Sequence, residues 1–433
     1  MKKQMKRMFD TAVISARAQA HVAGVIHSRT GIVLVGVATL GFLGVAYFGL
    51  PFSSLRYDAG VAAVAGAGGQ DATSATAQEA PAPIVPIASH IATPEPVKAL
   101  YMTACAAATP SLRDHITGLL DETAANAVVI DIKDYSGTVS FHTGVAELED
   151  ATDNAPGCVV KDMKEFVADL HKKNVYVIGR ITVFQDPYYA PKHPSLAVQK
   201  KSDGSVWKDK NGISFVDVSS ESYWEYVETL AKESYKAGFD EINFDYIRFP
   251  SDGNMTNISF PKSNTILEGD PENGKATALK NFFTHLSSVM RDASWYPSGT
   301  SGPKLSADLF GMTTTNTDDL NIGQVLENTA PYFDFIAPMV YPSHYPTGFN
   351  GYNDPNAHTY DIIKFSMDSA VTRLKAMGED PNKLRPWLQD FDYPVTYTPA
   401  MVSSQIKATY DAGLTSWMMW DPANKYTPSI LNN

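Results

Sequence analysis

The sequence predicts an α/β fold: a (β/α)8 TIM barrel, preceded by a transmembrane helix and a flexible linker. Three observations carry this expectation. From residue 97 onward, short apolar runs alternate with amphipathic helical stretches, the pattern of a parallel sheet. Eight such runs fit into about 337 residues, which suits a closed barrel with long loops. Ahead of them, residues 31–50 form 20 residues without a charge, enough to span a hydrocarbon core as a helix.

Residues 1–29 hold six basic residues and one acid, Asp10. This basic tail lies before the apolar segment, which places the N-terminus in the cytoplasm. The expected anchor covers 30–52. A cleaved signal peptide is the competing reading, but the leader is long for one. Residues 53–96 are rich in Ala, Gly, Thr and Pro and sustain no period, so they read as a tether. The barrel is expected over 97–433, outside the cytoplasm.

The eight runs are Val97–Thr103, Ala127–Asp134, Val175–Phe184, Glu241–Phe249, Lys304–Met312, Phe333–Tyr341, Leu384–Phe391 and Leu414–Asp421. Helical patterns such as 162–173 and 222–237 lie between them. A doubly wound open sheet is the structural competitor. No Gly-rich phosphate fingerprint follows the first run, where Thr103-Ala104-Cys105-Ala106-Ala107 stands instead, so nucleotide binding is disfavoured. Two insertions, 185–220 and 251–275, follow the third and fourth runs and are expected to wall a cleft. Lys201–Trp207 reads as a hairpin turn.

Composition narrows the partners. The chain has 35 Lys plus Arg against 47 Asp plus Glu, and beyond residue 29 the balance is 29 to 46. Such an acidic body does not suit nucleic acid; neutral or cationic substrates fit better. The two cysteines, Cys105 and Cys158, form no CxxC pair, so zinc has little support. A disulfide and two unpaired thiols are both open readings.

Polar groups gather at the C-terminal ends of the runs, where a barrel's reactive face lies. Asn243 and Asp245 share one face of the fourth run, while Ile242, Phe244 and Tyr246 share the other. By the same parity Asp131 goes with Lys133, Ser306 with Asp308, and Trp387 with Gln389. Arg180, Arg248, Tyr341, His344, Asp390 and Trp420 complete the set. Asp240 and Glu241, at the start of the fourth run, read as solvated. Carboxylates, Arg and Trp together suit carbohydrate chemistry: paired carboxyl groups cleave a glycosidic bond, and aromatic rings stack on sugar faces. Asp245 is expected as nucleophile or base and Asp308 as acid. Asp131, Lys133, Arg180, Asn243, Arg248, Tyr341, His344, Trp387, Gln389, Asp390 and Trp420 are expected to contact a polysaccharide or oligosaccharide. No metal or cofactor is required. A non-catalytic carbohydrate-binding barrel is the alternative.

The stretches Val129–Asp134, Gly179–Ile181, Phe239–Pro250, Ser306–Gly311, Pro338–Tyr345 and Arg385–Phe391 resemble a family of glycoside-hydrolase-like (β/α)8 domains found on secreted or membrane-anchored bacterial proteins. The resemblance covers roughly 97–427. It implies a distant kinship with α-amylase-like barrels and a nucleophilic aspartate on the fourth strand, which Asp245 matches. It also implies an acid on the fifth strand, where this chain has Asp308 in place of the amylases' glutamate. The fourth strand is also similar to the D-x-x-D-x-D-x-E strand of chitinases, but Ile247 stands at the acid position.

Overall fold

The structure, a computed structural model, describes residues 88–155, 157–297 and 301–432. The expected cytoplasmic tail and the anchor at 30–52 lie outside the described residues, as does most of the linker. Among the described residues no helix is long and apolar enough to cross a membrane.

All eight runs form strands of one closed parallel barrel, neighbouring one another in chain order. They are β1 (Lys98–Met102), β2 (Ala127–Lys133), β3 (Tyr176–Thr182), β4 (Glu241–Asp245), β5 (Lys304–Phe310), β6 (Phe335–Met339), β7 (Trp387–Gln389) and β8 (Trp417–Trp420). β8 pairs back onto β1, with Lys98 opposite Trp417 and Leu100 opposite Met419. The long crossover helices are α1 (Pro110–Glu122), α2 (Met163–Lys172), α3 (Glu221–Ala237), α4 (Gly274–Met290), α5 (Thr359–Ala376) and α6 (Pro399–Asp411). Between β5 and β6 the crossover has only short helical pieces, Gly311–Thr314, Leu326–Thr329 and Ala330–Tyr332.

The strands alternate between two apolar compartments, which is why they carry little polar sequence. One side packs against the helices, as in Val128, Ile130, Val177, Phe244 and Leu305. The other fills the lumen with Ala99, Tyr101, Val129, Ile178, Ala337, Trp387 and Met418. Gly179 sits where a Cβ would meet Ile132 Cδ1 at 2.1 Å, so only glycine lets the shell close on β3 there.

Two strand ends depart from the expected pattern. The fourth run was expected to continue to Phe249, but β4 stops at Asp245 because Tyr246 adopts a positive φ of 50°. The parity assigned to Tyr246 therefore fails, and Arg248 lies on a loop. A register shift between Asp131 and Lys133 breaks the parity of β2 as well. Asp131 stays in the lumen. Lys133 is fully buried, its Nζ 2.8 Å from Asp186 Oδ2 and donating to Thr182 O and to Tyr223 Oη of α3.

The lower end of the barrel corrects two further expectations. Glu241 is buried in the lumen and pairs with Arg385 Nη1 at 2.8 Å, while Tyr176 Oη donates to the same carboxylate. Asp240 is buried under the segment that precedes β1: it accepts from Ile91 N and Val177 N, each at 2.9 Å, and meets His171 Nε2 at 2.9 Å. Residues 88–96, read as the end of the tether, therefore pack on the barrel. Neither acid is solvated, because that segment covers the lower end. Arg385→Met strands the Glu241 charge in the lumen and is expected to cost about 3–5 kcal/mol of stability, read from denaturant unfolding. Adding Glu241→Gln removes the stranded charge and should recover part of that loss.

Cys105, in the short helix Ala104–Ala108, is bonded to Cys158, which resolves the two open readings. The bridge spans 53 residues of sequence, so it restricts the unfolded chain strongly. Cys105→Ser is expected to lower unfolding free energy by about 4 kcal/mol from lost loop closure. Wild type treated with reductant should show the same loss; an unchanged midpoint contradicts the bridge.

The two insertions knit to each other. Gln199–Lys200 pairs antiparallel with Ile258–Ser259, and the turn at 200–205 closes through Lys200 N to Ser205 O at 2.8 Å. Trp207 is buried between them and donates to Asn254 O.

Candidate active site

Strands β2, β4 and β5 bring three aspartates onto one guanidinium, that of Arg180 on β3. Arg180 donates from Nη1 to Asp131 Oδ1 at 2.6 Å and from Nη2 to Asp245 Oδ2 at 2.5 Å. Its Nε stands 3.7 Å from Asp308 Oδ2. The strand register explains the cluster: Asp131 is opposite Arg180, and Asp245 is opposite Thr182 one layer higher. Three carboxyl groups against one fixed cation cannot all ionise cheaply in a buried site.

Asp308 carries most of that conflict. It is 1% exposed, and burial first, then the Asp245 charge, holds its carboxyl well above the usual carboxylate range. Its Oδ1 accepts from Asn243 Nδ2 at 2.9 Å and from Trp387 Nε1 at 2.8 Å. Both partners are pure donors at those atoms, so a proton on this carboxyl belongs on Oδ2. Burial also pushes Asp131 up to about 6, against the opposing pull of Arg180. Tyr101 Oη donates to Asp131 Oδ2 at 2.5 Å, and its ring stacks on Trp420 at 3.8 Å.

Above the cluster lies a cavity lined by Arg180, Asp245, Tyr246, Arg248, Asp308, Phe310, Met339, Tyr341, His344 and Trp420. Seven of the residues expected from sequence meet there: Asp245, Asp308, Arg180, Arg248, Tyr341, His344 and Trp420. Asp245 faces this opening and not the helical shell. Its Oδ1 accepts from Tyr246 N at 2.5 Å, so the strained residue that ends β4 also fixes the carboxylate. Burial lowers His344 to about 4, so its imidazole is neutral near pH 7.

The other six expected contacts do not reach the cavity. Trp387 is fully buried and acts as a donor to Asp308, not as a sugar platform. Asn243 holds the same carboxyl from the lumen. Asp131 sits beneath Arg180. Lys133 is turned into the shell by the β2 bulge. Gln389 accepts from Ser343 Oγ at 2.9 Å and donates to Phe391 O, which braces the loop carrying His344. Asp390 accepts from Thr427 N and Oγ1 and ties down the C-terminal segment.

Sequence reasoning missed Tyr246, Phe310 and Met339 in the lining, and Tyr101 beside Asp131. Tyr101 and Met339 lie at the C-terminal ends of β1 and β6, a position that could have flagged them. No pattern announces the backbone turn at Tyr246. Outside the cavity, His142, Glu149 and Asp153 bring metal-ligating atoms within 4.8 Å of one another. Glu149 is already occupied there, accepting from Thr143 N and Gly144 N.

A closed parallel barrel with a cluster of acids at its upper mouth defines a class: (β/α)8 domains whose reactive groups ride on strand ends. Comparison with known proteins places the chain within that class. Residues 99–426 match the family described as "Putative glycosyl hydrolase domain", and the chain belongs to that family. Among solved structures, a hypothetical protein from Ruminiclostridium thermocellum is 30% identical over 48% of this chain and 96% of its own, with a TM-score of 0.40. The PgaB (BpsB) glycoside hydrolase domain from Bordetella bronchiseptica is 14% identical, covers 78% of this chain and 94% of its own, and has a TM-score of 0.52. A β-galactosidase from Marinomonas ef1 is 11% identical over 78% of this chain and 58% of its own, with a TM-score of 0.50. At these identities the last two speak to the fold alone. No curated protein sequence matches the chain.

Proposed function

We propose that the barrel hydrolyses a glycosidic bond in a polysaccharide, with Asp245 as nucleophile or base and Asp308 as general acid. One observation carries the assignment: two carboxyl groups share Arg180 at the cavity, Asp245 at hydrogen-bond distance and Asp308 at 3.7 Å, with Asp308 buried and raised well above the usual carboxylate range. Asp245 takes the guanidinium at hydrogen-bond distance. Asp308 is more distant from that cation and is dried by the lumen, so it keeps its proton. Divergent carboxyls of this kind divide acid and base roles in glycosidases. Arg180 orients both groups, and Trp420 and Tyr341 offer aromatic surface to a sugar ring.

The proton moves from Asp308 Oδ2 to the leaving glycosidic oxygen as the anomeric carbon–oxygen bond breaks. Asp245 either attacks that carbon or takes a proton from the attacking water. The reaction balances with water alone.

The test is a panel of polysaccharides assayed for new reducing ends with the wild-type chain. Release from at least one member supports the reading. Carbohydrate binding with no release from any member replaces it with the non-catalytic carbohydrate-binding barrel.

We further propose that residues 30–52 anchor the chain in the cell membrane as a single pass, with the barrel outside the cytoplasm. The uncharged segment and the basic tail before it support this reading, and the disulfide agrees with an oxidising compartment. Protease added to intact cells should digest the linker and release the barrel; protection of the whole chain overturns the orientation.

A further inference from the structure

We propose that the cavity accepts a sugar unit bearing an acidic group, a uronate carboxylate or a sulfate ester, and that Arg248 recognises its charge. The inference rests on the carbohydrate reading above and names the substrate class of the same site.

The charges at the mouth divide unevenly. Asp131, Asp245 and Asp308 are all gathered on Arg180. Arg248 also lines the cavity, yet its contacts among the described residues are neutral. Nη1 donates to Phe249 O and to Ser251 Oγ, both at 3.3 Å, and the guanidinium lies 5.0 Å from the Tyr246 ring centre. Asp252, close in sequence, is paired with Lys210 at 3.0 Å.

Arg248 is therefore a half-buried cation, held in place, with no carboxylate of its own. Phe310, Met339 and Trp420 make the lining around it largely apolar. Partly desolvating a guanidinium without a counter-charge costs free energy, and a ligand anion offsets that cost. The planar fork suits a carboxylate or sulfate, which it can grip through two parallel N–H donors. The backbone explains the placement: the positive φ of Tyr246 ends β4 and swings residue 248 to the mouth. The acidity of the chain as a whole favours neutral or cationic substrates, and the exception at this cavity is local: Asp131 and Asp245 are held on Arg180, and Arg248 has no carboxylate partner among the described residues.

Calorimetric titration of the full chain in detergent, carrying Asp245→Asn to stop turnover, tests the inference. The probes are uronate-containing oligosaccharides and their carboxyl-reduced counterparts, matched pairwise in linkage, together with sulfated analogues. The acidic member of at least one pair should bind about ten- to a hundred-fold tighter, the worth of one charge-assisted contact. Arg248→Gln in the same background should cut that preference to less than about two-fold, and Arg248→Lys should restore part of it. Tighter binding of the uronate than of the sulfate identifies the source as a carboxylate, and the reverse identifies a sulfate ester. Absence of an acidic preference in every pair, through equal binding or none, overturns the inference, as does a preference that survives Arg248→Gln. Wild-type hydrolysis without acidic preference removes this inference and leaves glycoside hydrolysis standing. Acid-selective binding without hydrolysis does the opposite.

Discussion

Asp245→Asn should lower reducing-end release by at least about a thousand-fold while the fold survives. The substitution keeps the shape of the side chain, and its Oδ1 can still accept from Tyr246 N. What it removes is the negative charge needed to attack the anomeric carbon or to deprotonate water. Losses of this size are usual when a nucleophile or base is deleted. Arg180 retains Asp131 at 2.6 Å, so the variant does not leave the cation stranded. Circular dichroism should match wild type, while stability should fall by about 1–3 kcal/mol, because the new amide Nδ2 faces Arg180 Nη2 as a donor where Asp245 Oδ2 accepted. Equal release by variant and wild type removes Asp245 from the mechanism.

Asp308→Asn should produce a different signature. A general acid matters most when the leaving group is poor. On an unactivated sugar the variant should lose about a hundred- to ten-thousand-fold in rate. On an aryl glycoside, whose phenolate leaves without help, most of that loss should vanish. The pH profile adds a second readout. The acid works only when protonated, and its folded pKa is raised by burial and by the Asp245 charge. Wild-type activity should therefore persist above the usual carboxylic range and fall as pH rises through the raised value. That alkaline limb should be absent from the residual activity of Asp308→Asn.

The same linkage reaches stability, with the sign fixed by the direction of the shift. Folding raises the pKa of Asp308, so the folded state holds a proton that the unfolded chain releases. Its contribution is full below the unfolded pKa and declines as pH climbs through the folded one. Asp308→Asn should flatten that decline. A rate loss equal on good and poor leaving groups, with an unchanged alkaline limb, would move the acid role elsewhere.

The separation of roles at the mouth also shows why position outranks residue type. Trp387 opens β7 and Trp420 closes the adjacent β8, one layer higher. One is sealed in the lumen and bonds Asp308; the other lines the cavity. Gln389 and Asp390 are polar groups at a strand end, as expected of contact residues, yet one braces the His344 loop and the other holds the C-terminal segment.

The sequence by itself determined the barrel, the order of its eight strands, and the acids at their C-terminal ends. It could do so because strand parity and strand–helix alternation are local, one-dimensional patterns. Where a backbone departure broke the parity, the sequence lost its hold: the bulge at Lys133 and the turn at Tyr246 each move a side chain to a face that counting does not predict. The sharing of one guanidinium by Asp131, Asp245 and Asp308, the burial of Glu241 against Arg385, and the pairing of Cys105 with Cys158 were decided by tertiary structure alone. Each joins residues distant in the chain, and only closure of the sheet sets the distances and the dryness that give such charges their chemistry.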